Sequence, residues 1–285
     1  MAIFFALFTL IGWGVGDVFV TIASRRLGFL VSYFWGFVFG SVFIISVMPF
    51  MGPITDGRMF VLALFLNIIH TIGNLSFFRG TQVGNASIVG TIVGAFPMVS
   101  VILSLIFFRE ILSLLQIIGI LLAVVGVLIT SVRVNNLKSV SDIFSDKGAI
   151  YALITMSCWG IYFAFVRIPA EKIGWYWAGF PLFLIAPALL FIKSLRINAP
   201  KIFSDRKGFW AVIAYLILTL ILADFSYNIG ILYGYTSIVA PIAGSSTVLY
   251  VLLSRIIFRE KLNLQQKIGI ISSLAGIILL AFTSK

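Results

Sequence analysis

Two carboxylates and one imidazole, Asp17, Asp224 and His70, stand inside runs of residues that are otherwise as apolar as lipid. An ionised side chain at the centre of a bilayer costs about 2.5–3.5 kcal/mol on insertion scales, so each has to face a partner or a water-filled cavity. A carboxylate so placed is a candidate to take up and release a proton, and Asp17 and Asp224 are the expected proton-coupling pair. In FLNIIHTIGNLSFF, residues 65–78, Asn67, His70 and Asn74 are spaced i, i+3 and i+7 and share one helical face. In ILADFSYNIG the residues Asp224, Tyr227 and Asn228 share a face as well. A polar stripe turned to hydrocarbon leaves its donors unpaired, so both stripes are expected to face other helices or a cavity. Bonding between helices, worth roughly 0.6 kcal/mol per contact, is the competing explanation. Trp13, Trp159, Tyr162 and Tyr227 fall within apolar runs rather than at a headgroup belt, and offer rings for stacking or for holding a cation, with plain packing as the alternative. The expected substrate-binding set is therefore Trp13, Asn67, His70, Asn74, Trp159, Tyr162, Tyr227 and Asn228.

An enzyme would need a nucleophile with its base, or a set of metal ligands. One His, one Cys and the absence of HExxH and GxSxG supply neither, so no catalytic residue, metal or cofactor is expected. Glu110 and Glu260 directly follow Arg109 and Arg259 and read as ion pairs at helix boundaries.

The elements that position these groups follow from composition. With 61% hydrophobic and 10% charged residues the chain lies far outside the range of soluble domains, and a mean hydropathy of +1.16 makes it an integral membrane protein. Apolar runs near the length of a bilayer crossing recur almost end to end. They predict ten helices, at about 2–23, 29–50, 58–79, 83–107, 113–131, 148–169, 175–193, 208–231, 234–257 and 264–283. The net charge of +11 would suggest nucleic acid in a soluble protein. Here the Lys and Arg sit in short loops beside lipid headgroups, and no nucleic-acid partner is expected. About 15 of the 20 basic residues fall in loops after odd-numbered helices, which by the positive-inside rule places those loops in the cytoplasm and both termini outside. The single Cys158 reads as a small packing residue.

The sequence repeats itself. FRE at 108–110 matches FRE at 258–260, SIVGTIVG at 87–94 matches SIVAPIAG at 237–244, and QIIGI at 116–120 matches QKIGI at 266–270. At this offset about 20 of the 47 positions from 84 to 130 are identical, too many for shared lipid composition. WG at 13–14 matches WG at 159–160, and Leu27-Gly28 matches Ile173-Gly174, at an offset four residues smaller. The expected fold is an all-α membrane protein of ten transmembrane helices in two inverted five-helix repeats, 1–131 and 148–285, joined by the polar loop 132–147. Five is odd, so the halves enter the membrane in opposite senses.

Two five-helix repeats, an early WG, a small-residue fourth helix ending in FRE, and a closing QxxGxxxxxxG (Gln116, Gly119, Gly126; Gln266, Gly269, Gly276) resemble the EamA-type transporters of the drug/metabolite transporter superfamily. The resemblance implies a ten-helix carrier with a central cavity, commonly an exporter of amino acids or other small metabolites, often driven by proton or substrate gradients. It also implies cytoplasmic termini, the reverse of the charge count. The expected function is thus transport of a small polar or amphipathic metabolite across the cell membrane, by a monomer or homodimer among membrane lipids, with protons as an optional second partner. A channel or an uncoupled facilitator for small neutral solutes is the alternative.

Overall fold

No main-chain donor or acceptor can go unpaired in hydrocarbon, so a chain this apolar has to close its hydrogen bonds within each segment. The computed structural model describes residues 1–84, 86–131, 147–194, 201–258 and 264–283, and among them every regular element is helical. The first half holds α1 (Ala2–Leu27), α2 (Phe29–Val47), α3 (Gly57–Val83), α4 (Ala86–Val93), α5 (Phe96–Phe108) and α6 (Leu114–Ser131). The second holds α7 (Lys147–Phe165), α8 (Arg167–Ser194), a single turn α9 (Lys201–Ser204) and α10 (Arg206–Tyr215). A π-helical stretch, Leu216–Ala223, joins α10 to α11 (Asp224–Tyr233), and α12 (Thr236–Gly244), α13 (Ser246–Phe258) and α14 (Leu264–Thr283) follow. Among the described residues six stretches are long and apolar enough to cross a membrane: Ala2–Leu27, Phe29–Phe50, Gly57–Val83, Lys147–Phe165, Arg206–Tyr233 and Leu264–Thr283. Residues 132–146 and 195–200 of the two polar connections, and Arg259 with Glu260, lie outside the described residues.

Boundaries follow from local chemistry. Asp56 starts α3 by accepting hydrogen bonds from the N–H groups of Arg58 and Met59. Asp205 starts α10 by accepting from the Gly208 N–H, and it also takes the Arg26 guanidinium at 2.9 Å. These two partners hold its carboxyl below the usual carboxylate range. Gly28 and Gly174, matched in the sequence repeat, have φ of 92° and 83°, a region open to glycine and costly for other residues. Each turns the chain from one helix into the next, and Gly174 divides α8 into a short and a long part.

The helices expected at 83–107 and 234–257 are not continuous. Pro97 brings no N–H back to the preceding turn, so the first breaks after Val93 and restarts at Phe96, with the Ala95 N–H bonded to Ile92 O at 3.1 Å. In the second, Ser245 bonds back to Pro241 O through both its N–H and its hydroxyl, at 3.1 and 2.8 Å, which bends the helix between α12 and α13. The two breaks fall at matching repeat positions and touch. A β-carbon on Gly94 would lie 3.3 Å from Thr247 Cγ2, and one on Gly244 would overlap the Pro97 ring.

Apolar side chains cover the outside of the bundle as well as filling its core. Ile and Leu side chains are exposed along α6 and α14, while Asn67, His70 and Asn228 are buried. α6 and α14 form the most extensive helix pair, and it is antiparallel: Gln116 Nε2 donates to Thr283 O, Ser272 Oγ to Leu122 O, and Gln265 Nε2 to Ile129 O. The closing glycines make this seam. A β-carbon on Gly126 would collide with the Ser273 backbone, and one on Gly276 with Ala123. Elsewhere α1 packs on α10 to α13, and α7 packs on α3, α4 and α5, so the helix that opens each half lies against the other half.

Candidate functional site

The WG pairs show how the halves interlock. Gly14 lies on the start of α13, where a β-carbon would come 2.8 Å from Leu249 Cβ and 2.9 Å from Ser246 O. Gly160 lies on the start of α5, 2.5 Å from Val99 Cβ and 3.4 Å from Phe96 O by the same measure. Val99 and Leu249, and Phe96 and Ser246, match at the repeat offset. The absent side chain seats each opening helix on the broken helix of the other half, and the preceding Trp then points into the centre of the bundle.

There each indole finds an acceptor across the repeat. Trp13 Nε1 donates to Asp224 Oδ1 at 2.7 Å, and Trp159 Nε1 donates to Asn74 Oδ1 at 2.9 Å. Asn74 and Asp224 match at the repeat offset, so the two contacts are counterparts that differ in one atom and one charge.

Both pairs line one cavity of about 520 Å³. α1 contributes Trp13, Asp17 and Val20; α3 contributes His70, Asn74, Phe77 and Phe78; α7 contributes Trp159 and Phe163. The wall is completed by Val93, Phe96, Tyr215, Thr219, Leu220, Asp224, Ser246 and Thr247. A second cavity of about 340 Å³ shares Asp17, Phe77, Val93 and Thr247 and adds Thr81, Val89, Gly90 and Tyr250. It continues the first toward the end of the bundle where α1 and α3 finish and α4 begins.

Polar contacts tie the elements together at the opposite end. Glu110 takes the Arg167 guanidinium at 3.1 Å on Oε1 and accepts the first two N–H groups of α12, those of Thr236 and Ser237, at 2.9 and 3.0 Å. Glu110 is thus ion-paired at a helix boundary, with Arg167 rather than the preceding Arg109 as partner and a helix N-terminus as second ligand. Thr55 Oγ1 donates to Lys172 O and Trp177 Nε1 to Gly52 O on the same side.

The expected site residues divide into two groups. Trp13, Asp17, His70, Asn74, Trp159 and Asp224 line the cavity, and Asp17 and Asp224, expected toward opposite faces, reach the same space. Asn67 does not line it: its Nδ2 donates to Ala63 O and Ala178 O at 2.7 and 2.8 Å, tying α3 to α8. Tyr162, Tyr227 and Asn228 are buried one layer back. Tyr162 stacks on His70 with centroids 4.0 Å apart, and Tyr227 stacks on Trp13 at 5.7 Å while donating to Phe163 O. His70 Nδ1 has no hydrogen-bond partner among the described residues. Phe96, Phe163, Thr219, Ser246 and Thr247 carried no signal as single residues, though Phe96 and Ser246 flank the small-residue spacings of the two matched segments. The π-helical stretch before Asp224, of a kind frequent at functional sites, has no counterpart in the pattern of apolar residues.

A cavity walled by rings and a few polar groups at the centre of an apolar helical bundle defines a membrane protein with an internal site for a small solute. The chain belongs to the EamA-like transporter family, whose model matches residues 1–132 and 146–282. That makes it a multi-pass membrane protein of a transporter family of the drug/metabolite type, with a small-molecule substrate. It is also similar to an uncharacterized protein of Methanocaldococcus jannaschii, 28% identical over 134 residues that make up 46% of this chain and 96% of the relative. A solved crystal structure 16% identical in sequence shares the fold with a TM-score of 0.78, covering 99% of this chain and 96% of its own.

Proposed function

We propose that the protein is a ten-span secondary carrier built from two inverted five-helix halves, 1–131 and 148–285, which exports a small polar or amphipathic metabolite, an amino acid or similar, across the cell membrane. The observation that carries this reading is the reciprocal pair of indole contacts, Trp13 to Asp224 and Trp159 to Asn74, which face one cavity from both halves. The antiparallel α6–α14 seam, the two matches of one family model and a relative about as long as one half all favour the inverted-repeat plan. Asp17 and Asp224 are the residues that would take the coupling proton. Asn67 serves the site by positioning α3 rather than by touching substrate.

A channel or facilitator is the second reading. A channel needs a continuous path, whereas here the Glu110 contacts tie the helices together at one end and the cavities extend toward the other, an asymmetry that favours alternating access. Purified protein in proteoliposomes separates the two with a panel of labelled metabolites. The carrier shows saturable flux and counterflow for at least one solute; flux that rises linearly with concentration and shows no counterflow assigns the protein to the channels.

A further inference from the structure

The mirror relation of the two indole contacts bears on what charge the cavity takes. Packing requires only that each Trp find an acceptor, and at Trp159 a neutral carboxamide, Asn74, meets that need at 2.9 Å. At Trp13 the same position carries a carboxylate. One N–H occupies one of about four lone-pair sites on a carboxylate, and the charge of Asp224 is therefore in excess of what the fold uses. Asp17 brings a second carboxylate to the same cavity, and no Lys or Arg is among the described residues that line it. An uncompensated charge in a water-poor interior costs several kcal/mol and is relieved either by a proton or by a cation, so a cationic ligand that displaces the proton is the natural complement of the ionised pair. The walls suit such a ligand: Trp13 lies 4.8 Å from Phe163 and 5.9 Å from Phe96 between ring centroids, a set of faces and edges against which an ammonium group and an apolar body both pack.

We propose that the cavity recognises solutes carrying a protonated amine, with the ammonium group held by Asp224 and Asp17 and the apolar part against the rings of Trp13, Phe96 and Phe163. This rests on the reading of the cavity as the substrate site. Anions meet two like charges there, and neutral analogues gain only the apolar contact.

The test uses three probes that share a phenyl body: phenethylamine as cation, phenethyl alcohol as neutral analogue and phenylpropionate as anion. Titration calorimetry on the purified full-length protein is expected to give phenethylamine an affinity at least about tenfold above the alcohol, as a charge-assisted contact requires, with no binding of phenylpropionate. Asp224→Asn keeps an acceptor for Trp13, as Asn74 does for Trp159, so it preserves the fold while lowering the affinity for the amine about tenfold and leaving the alcohol unaffected. Asn74→Asp adds a third carboxylate and raises the affinity for the amine. The proposal is overturned by the alcohol or phenylpropionate binding as tightly as the amine, by Asp224→Asn and Asn74→Asp both leaving the amine unaffected, or by none of the probes binding up to millimolar concentration. The carrier reading fails separately: no solute of any charge then shows saturable counterflow, even where the amine binds. Saturable counterflow confined to solutes without an amine sinks the proposal and leaves the carrier standing.

Discussion

Asn67, His70 and Asn74 share a helical face by spacing, yet they do different work. The three lie within about 60° of one another, so depth along α3 rather than angle separates their roles. Asn67, nearer the start of the helix, bonds Ala178 O of α8, while His70 and Asn74, further along, reach the cavity. Asn67→Leu should therefore lower thermal stability, by roughly 0.6–2 kcal/mol for a lost interhelical bond, and leave transport per folded molecule close to the wild type. His70→Leu should do the reverse, reducing transport severalfold in protein that remains monodisperse. Melting curves and proteoliposome flux on the same preparations check both. Normal transport by the His70 variant removes the imidazole from the site. The identity of the polar residues was legible in the sequence because they are conspicuous among apolar neighbours. Their orientation was not, since the partners that decide it, Ala178 for Asn67 and Trp159 for Asn74, are distant in the chain and arrive only with the packed bundle.

At the level of the helix, periodicity in apolar residues says that a segment is buried in lipid or protein, and little about where its backbone breaks. The interruptions in the expected fourth and ninth helices fall at matched positions, Ala95 and Ser245, but by different chemistries: Pro97, two residues after the first, lacks an N–H, and Ser245 itself bonds backwards. The repeat was readable; the equivalence of the two breaks was not, because Pro97 has Thr247 as its counterpart. The QxxGxxxxxxG spacing was more informative, since small residues one face apart can do little else than admit another backbone. Gly126 is the sharpest case, with the Ser273 main chain filling the place of a side chain. Gly126→Val should push α6 from α14 and destabilise the protein by about 1–3 kcal/mol, as overpacking of a close contact does. A fall in melting temperature together with loss of the monodisperse peak on size exclusion is the expected result. Unchanged behaviour on both would mean that the seam yields at little cost.

For the molecule as a whole, the sequence gives orientation through charge alone. About 15 of 20 basic residues fall in loops after the odd-numbered expected helices, and on the positive-inside rule we propose that the end of the bundle toward which the cavity extends faces the cytoplasm. Ser204, in the turn beside the Asp205–Arg26 ion pair, lies at that end. In a Cys158→Ala background, Ser204→Cys should resist an impermeant thiol reagent in intact cells and react after permeabilisation. Labelling of intact cells would instead put both termini in the cytoplasm, as the family resemblance implies.

The crossing of the two broken helices carries a consequence for how such a chain changes over generations. Gly94 rests on Thr247 and Gly244 on Pro97, so positions that match in the sequence repeat also hold each other in space. The two copies were free to part company at Asn74 and Asp224, where a cavity leaves room for either. At the crossing there is none. A heavier residue at Gly94 or Gly244 is accommodated only when its neighbour in the other half shrinks, so change at this point proceeds in pairs.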